Sequence, residues 1–338
     1  MAEEDPLSEN AAPENVWRSH IPGSVPGQGK CLFLKKGRGS TVQDMDNKEY
    51  IDYFLCDGAV ILGHGHPAVE DAVRLALEEG VTLGGPLRAE SQLADLLQKA
   101  LGNRDDVTIR FTNSGTEAVL NAVMLSRIFT GREGVILIGG NSHGHASLLC
   151  DSRSPVPLSP ECESRGNAGK DYVEKIPFNE VAVLQELVET RENDFGCILM
   201  EPIQSRSGLV LPDEGYLETV REISQEYEIL LIFDEVYTGF RAAHGGAFRL
   251  FDVFPDFMCF GPIIAGGLPL GALCGKKLVL DLLFPTGPLF QAGNLSSRSI
   301  SYQAGLRTLE ILNDAGSYST LEDRTAALAS EHKACGER

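Results

Sequence analysis

The segment RFTNSGTEAVLNAVMLSRIFTG passes from an apolar strand through small polar residues into a run with apolar side chains at Val119, Val123 and Leu125, the spacing of a helix. Ser114, Gly115 and Thr116 therefore stand at a helix N-terminus. Backbone N–H groups without intrahelical acceptors and the positive end of the helix dipole suit a phosphate there. The same residues also make an ordinary helix start, with Ser114 or Thr116 as the capping side chain. In LLIFDEVYTGFR a strand ends on Asp234 and Glu235, and in MEPIQSRSG another ends on Glu201. Carboxylates at the C-terminal ends of parallel strands face the crevice in which α/β folds bind ligands. A strand-end Asx turn or a capping carboxylate is the structural alternative. A further segment, PDFMCFGPIIAGGLPLGALCG, is a glycine-rich apolar turn in which Pro262 follows Gly261.

The elements that must hold these ends follow from periodicity. TVQDMDNKEYIDYF alternates about an Asp46-Asn47 turn signal and predicts a β-hairpin. AVEDAVRLALEEG and SQLADLLQKALG are amphipathic helices closed by Gly80 and Gly102. The short apolar runs VTIRFTN, GVILIGG, CILMEPI and ILLIFDEV are buried strands with helices between them. That alternation predicts an α/β layer fold around a mostly parallel sheet. With 338 residues the chain exceeds one ordinary compact domain. The expected division is an N-terminal arm and hairpin over 1–60, a large α/β domain over 61–290, and a C-terminal piece over 291–338. Residues 1–20 are expected to form a polar arm, and DSRSPVPLSPECESRGNAG a surface loop.

Composition excludes several classes of partner. Twenty-nine basic against 48 acidic residues give a net charge of −19, dispersed along the chain, a field that repels nucleic-acid backbones and anionic membranes. The N-terminus lacks the basic and apolar regions of a secretory signal, and no apolar run reaches the ~18 residues of a membrane span, so a cytoplasmic protein is expected. The eight cysteines form no CxxC pair and no Cys/His framework; they read as small buried hydrophobes in a reducing compartment, and no metal is expected.

Taken in order, these segments resemble the class III pyridoxal-phosphate aminotransferases, and within them the glutamate-1-semialdehyde aminomutase branch. NKEYIDYFLCDGAVILGHGHPAVEDAV, NSHGHAS, GAFRLFDVFPD, GGLPLGALCG and FQAGNLS fall in that family's order and spacing, over roughly residues 17–312. The resemblance implies the pyridoxal-phosphate-dependent transferase fold type I, a homodimer with sites at the subunit boundary, and a C-terminal small domain of which 291–338 is a remnant. GGPLRAE and FQAGNLS look like the segments that cross between subunits. It implies pyridoxal 5'-phosphate or pyridoxamine 5'-phosphate (PMP) as cofactor and a small amino acid or aminoaldehyde as ligand. Ser114, Gly115 and Thr116 match the phosphate loop, Asp234 the partner of the pyridine nitrogen, and Val236 the residue packed on one ring face. Glu201 matches the neighbouring strand-end carboxylate, and His143 lies in the loop beside the ring.

The departures lie in the same site. Pro262 occupies the position of the lysine that carries the cofactor, and proline has no side-chain amine for nucleophilic or base catalysis. Ser142 replaces the aromatic ring-stacker, Asn294 the threonine that reaches a phosphate across the dimer, and Arg206 a small polar side chain. Lys30 and Asp57 fall at the branch's substrate-carboxylate arginine and substrate-side tryptophan. Lys276 and Lys277 are the nearest lysines in sequence that could stand in for the missing one. Three readings follow. The chain descends from amino-group-transferring enzymes and has lost or altered that activity. Alternatively it works without the lysine on a non-covalent cofactor, His143 acting as base. Or it is a non-catalytic partner, a pseudoenzyme that modulates an active paralogue.

Overall fold

A computed structural model describes residues 33–140, 143–144, 172–191, 193–293 and 298–336. The predicted hairpin is part of a three-stranded antiparallel sheet of β1 (Leu34–Arg38), β2 (Thr41–Asp44) and β3 (Glu49–Ile51). Asn47 takes the turn's left-handed conformation at φ 64°. The Asp44 carboxylate closes the hairpin by accepting from the Lys48 N–H at 2.8 Å and the Tyr50 hydroxyl at 2.8 Å.

Helix α1 (Pro67–Glu79) begins on a proline that is pre-set for the first turn and ends at Gly80; α2 (Arg88–Ala100) follows. The chain then alternates as expected. Strand β4 (Val107–Thr112) leads to α3 (Gly115–Thr130), β5 (Gly134–Ile138), β6 (Val173–Ile176) and α4 (Val181–Thr190). Next come β7 (Phe195–Met200), α5 (Tyr216–Glu226), β8 (Leu230–Glu235), the short α6 (Ala247–Phe251) and β9 (Phe257–Phe260). A 3-10 turn (Pro262–Ala265), β10 (Gly271–Lys276), α7 (Lys277–Leu280), α8 (Ser299–Leu312) and α9 (Ala315–Gly336) complete the order.

Seven strands form one sheet in the order β4-β10-β9-β8-β7-β5-β6. All neighbours are parallel except β10, which runs antiparallel to both β4 and β9. Alternate residues of the central strands feed two cores, as a sheet covered on both faces requires. Leu231 and Phe233 of β8 join Leu93, Leu97, Leu184, Val188 and Val220 of α2, α4 and α5. Leu230 and Ile232 join Ala118, Val119, Ala122, Val123 and Leu125 of α3. The described part of 291–338 is chiefly helical, and α8 packs on α1, α2 and the 3-10 turn, with Tyr302 edge-on to Phe111 of β4 at 5.2 Å.

Because β4 and β9 each oppose β10, they run the same way. The C-terminal ends of β4, β5, β7, β8 and β9 therefore share one edge of the sheet, where Asp234 stands at the end of β8 and Ser114, His143, Glu201 and Pro262 follow the other four.

Candidate active site

At the end of β4 the chain turns into α3 with Ser114 extended, its Oγ accepting the Glu117 N–H at 3.2 Å. The capping reading is thus realised, and it leaves the Gly115 and Thr116 N–H groups at the helix mouth without an intrahelical acceptor. Glu117 accepts in turn from the Asn113 N–H at 2.9 Å and from its side-chain amide, so the loop is stitched from both sides. Crowding dictates the small residues. A Cβ on Gly115 would lie 2.4 Å from Val236 Cγ2, one on Gly144 2.6 Å from Thr116 Oγ1, and one on Gly271 2.4 Å from the Ser114 carbonyl oxygen.

Asp234 and Glu235 end β8 side by side but do different work. Asp234 Oδ1 accepts the Val236 N–H at 3.0 Å, the Asx turn, while Oδ2 lies 2.8 Å from His143 Nδ1 with the two side chains 5% and 2% exposed. A carboxylate oxygen accepts here from an Nδ1–H donor, and the bond turns Nε2 away from Asp234. Each carboxylate oxygen keeps lone-pair capacity for a further donor. Glu235 is purely structural, accepting from the Thr238 hydroxyl and from the Ala247 and Phe248 N–H groups at the start of α6. Val236 is wedged between two glycines, since a Cβ on Gly261 would also meet its Cγ1 at 2.6 Å. One valine thereby touches both the α3 mouth and the residue before Pro262.

Glu201 lies buried beyond β7, its Oε2 accepting from the Ser205 N–H at 2.9 Å and hydroxyl at 2.6 Å. Burial first, and the nearby Asp234 second, push its carboxyl up to about 7. Burial does the same to Glu235, also to about 7. A carboxyl whose folded-state pKa is raised holds its proton in the native state while the unfolded chain has lost it. Stability therefore falls as pH rises from the ordinary value of 4.5 to about 7, and is level above. Glu201→Gln keeps an oxygen for Ser205 and removes the titration. Relative to the parent, the variant should gain stability between pH 5 and pH 7, by roughly 3 kcal/mol at most. Urea unfolding at both pH values checks this, and parallel pH dependences in the two proteins would overturn it.

Gln204 was not singled out in the sequence. It is buried, donates weakly to the Glu201 carbonyl at 3.3 Å, and among the described residues its Oε1 has no partner. A Cβ on Gly139, after β5, would run into that amide. A polar amide three residues after a strand-end carboxylate was the available signal.

Pro262 is no loose turn residue. It opens the 3-10 turn, where its missing N–H costs nothing, and its carbonyl accepts from Gly267 at 3.0 Å; Ile263, Ile264 and Ala265 behind it are buried in the core. Lys276 does not approach it. β10 starts at the site edge with Gly271 and ends at the opposite edge, where Lys276 Nζ sits 2.5 Å from Asp256, about 17 Å away by strand rise. Lys277 pairs with Asp281. Asp57 forms an ion pair with Arg206, which joins two of the positions read from sequence. Lys30, Ser142 and Asn294 lie outside the described residues, as do the 1–20 arm and the 151–169 loop.

Among the described residues no group of His, Cys, Asp or Glu could hold a metal ion, and no helix is long and apolar enough to cross a membrane. Cys197, Cys259 and Cys274 are buried thiols and Cys56 is exposed.

Known proteins resemble this chain along most of its length. Residues 24–337 match the family model for Aminotransferase class-III. The chain is 39% identical over 320 residues to the glutamate-1-semialdehyde 2,1-aminomutase of Natranaerobius thermophilus, covering 91% of this chain and 74% of that protein. Among solved structures it is similar to an omega-transaminase from Sphaerobacter thermophilus, with TM-score 0.78, 30% identity, and coverage of 86% and 69% of the two chains. It is also similar to a glutamate-1-semialdehyde-aminomutase from Pseudomonas aeruginosa in complex with PMP, with TM-score 0.72, 25% identity, and coverage of 83% and 64%. The family model spans most of the chain and the aminomutase relative is covered over most of its length, and the chain belongs to the class-III aminotransferase family.

Proposed function

We propose that the protein holds pyridoxal phosphate or PMP without a covalent bond, between the α3 N-terminus and Asp234, and that the family's lysine-dependent amino-group transfer is impaired or altered in it. The observation that carries this reading is Asp234, a buried carboxylate fixed by His143 and Val236 at the strand end, with proline rather than lysine beyond the next strand. The residues present fit the cofactor. The Gly115 and Thr116 N–H groups would take its phosphate, Val236 offers an apolar face, Asp234 has lone pairs left for a protonated ring nitrogen, and Gln204 Oε1 is a buried acceptor awaiting a donor. When bound, the cofactor supplies an electron sink for the carbon that bears the amino group.

A second reading, catalysis without the lysine, is favoured by one atom. His143 Nδ1 is committed to Asp234, so Nε2 is the basic atom that could move a proton. The ligand is then a small amino acid or aminoaldehyde and its carbonyl partner. The exposed apolar side chains Val81, Leu83, Phe284 and Phe290 support a homodimer, since a monomer would leave them in water. A cytoplasmic location, and the division into 1–60, 61–290 and 291–338, belong to the same reading.

The test is an absorbance spectrum after incubation with pyridoxal phosphate and desalting, with and without borohydride. A retained band with no stoichiometric borohydride-fixed adduct is the expected result. A protein that emerges without a band would remove cofactor binding, and a fixed adduct at full occupancy would mean that another lysine serves.

A further inference from the structure

The turn 54–60 is fastened at once to the segments that follow three strands at the site's edge of the sheet. Arg206, on the loop after β7, pairs with Asp57. Arg241, on the segment after β8, donates from Nη2 to the Gly58 carbonyl at 2.5 Å. Gly267, on the segment after β9, packs against Val60, which a Cβ at that glycine would meet at 3.0 Å. The turn is also under strain. Leu55, Cys56 and Asp57 are consecutive non-glycine residues at φ 46°, 55° and 56°. For Leu55 and Cys56 this costs a factor of about ten each in equilibrium. Its start is anchored by Asp52 Oδ1, which accepts the Phe54 and Leu55 N–H groups at 2.8 and 3.0 Å.

These fastenings are unequal. The Asp52 and Arg241 contacts are side chain to backbone and partly buried. The Arg206–Asp57 pair has side chains 42% and 35% exposed. An ion pair so exposed is worth a factor of about five or less. It is the contact that a dissolved carboxylate can replace, because the guanidinium loses one carboxylate and gains another, and the strained turn relaxes as Asp57 leaves. The chemistry of the ligand is written in the contact it would displace: Asp57 presents a carboxylate to a guanidinium whose planar fork suits that group.

We infer that Arg206 is the binding residue for the carboxylate of an incoming amino or keto acid, and that Asp57 occupies it until the ligand arrives. This rests on the amino-group-transfer reading for the identity of the ligand, but not for the binding itself.

The full chain, loaded with pyridoxal phosphate or not, would be titrated with glutarate by calorimetry, with butylamine as the carboxyl-free control. Amide hydrogen exchange over 52–60 would be followed alongside. Glutarate is expected to bind and to speed exchange at 54–58, while butylamine does neither. Arg206→Gln should weaken glutarate binding about tenfold or more and abolish the exchange response, with Arg206→Lys intermediate. Asp57→Asn should tighten binding up to about fivefold. Unchanged affinity in Arg206→Gln, or weaker binding in Asp57→Asn, would overturn the inference. Arg206 is exposed and Asp57 half-exposed, so the variants should fold, and the cofactor spectrum of each sample separates the two ideas. Loss of glutarate binding in Arg206→Gln with no cofactor band in any sample would sink the functional reading and leave this one standing.

Discussion

Gly271→Ala is expected to lower the unfolding free energy by about 3 kcal/mol, near the upper end for an overpacked core site. Gly271 is the first residue of β10 and pairs with Thr112 of β4. A methyl group there would stand 2.4 Å from the Ser114 carbonyl oxygen, 2.5 Å from its carbon and 2.7 Å from Thr112 Oγ1. Two of those three atoms are backbone at the junction of β4 and α3, so no rotamer change relieves the contact. The strand or the helix must move. Gly115→Ala makes a useful contrast, because its obstacle is the side chain of Val236, and Val236→Ala should recover part of that loss in a double-mutant cycle. No such partner rescues Gly271→Ala. Urea unfolding at neutral pH measures the change, and a midpoint within error of the parent would show that the junction is soft. Because the displaced atoms carry the α3 mouth, the same variant should retain less cofactor.

Asp234→Asn should weaken binding of pyridoxal phosphate about 100-fold, the worth of one charge-assisted hydrogen bond in a buried site. The carboxylate now accepts on both oxygens, from Val236 N–H and from His143 Nδ1. An amide keeps one acceptor and turns two donors toward positions that need acceptors. It faces a donor either at the histidine or at the backbone, and it has no negative charge with which to keep a ring nitrogen protonated. Titrating the apoprotein and following absorbance gives the dissociation constant directly. Equal constants for parent and variant would place the cofactor elsewhere. Thermal melting of the apo forms should also show a drop of order 1 to 2 kcal/mol, from the mispaired histidine alone.

Most of the frame was legible because its pattern is local. The hairpin announced itself through Asp46-Asn47, α1 and α2 through their amphipathic spacing and closing glycines, and β4, β5, β7 and β8 through short apolar runs. The buried face of α3 was read correctly from Val119, Val123 and Leu125. The stretch from Pro255 to Gly275 was read as a turn, yet it holds two central strands. Phe257–Phe260 is only four residues long, and Gly271–Lys276 is interrupted by glycines that normally signal loops. Those glycines are there for space: Gly275 faces the Phe257 ring and Gly271 faces the Ser114 carbonyl. Such close approaches belong to tertiary packing and leave no periodicity behind. In the site, Asp234, Glu201 and Ser114 stood at strand ends and helix starts, which sequence marks. The histidine on Asp234 came from the resemblance, while the orphaned amide of Gln204 and the pairing of Arg206 with Asp57 depend on loops meeting across the sheet edge.

The antiparallel strand β10 has a consequence for the order in which the protein can assemble as it is made. β4 is an edge strand among the described residues, with β10 as its neighbour in the sheet, and β10 lies beyond every other described strand in the sequence. During synthesis the hydrogen-bonding edge of β4 must therefore wait, unpaired, while β5 to β9 emerge and join one another. An open strand edge of that kind is a site for mispairing with other nascent chains. The helix mouth after β4 takes its final form only when Gly271 arrives against Ser114, so a ribosome-bound fragment ending before that strand should contain a partial sheet and no competent phosphate site.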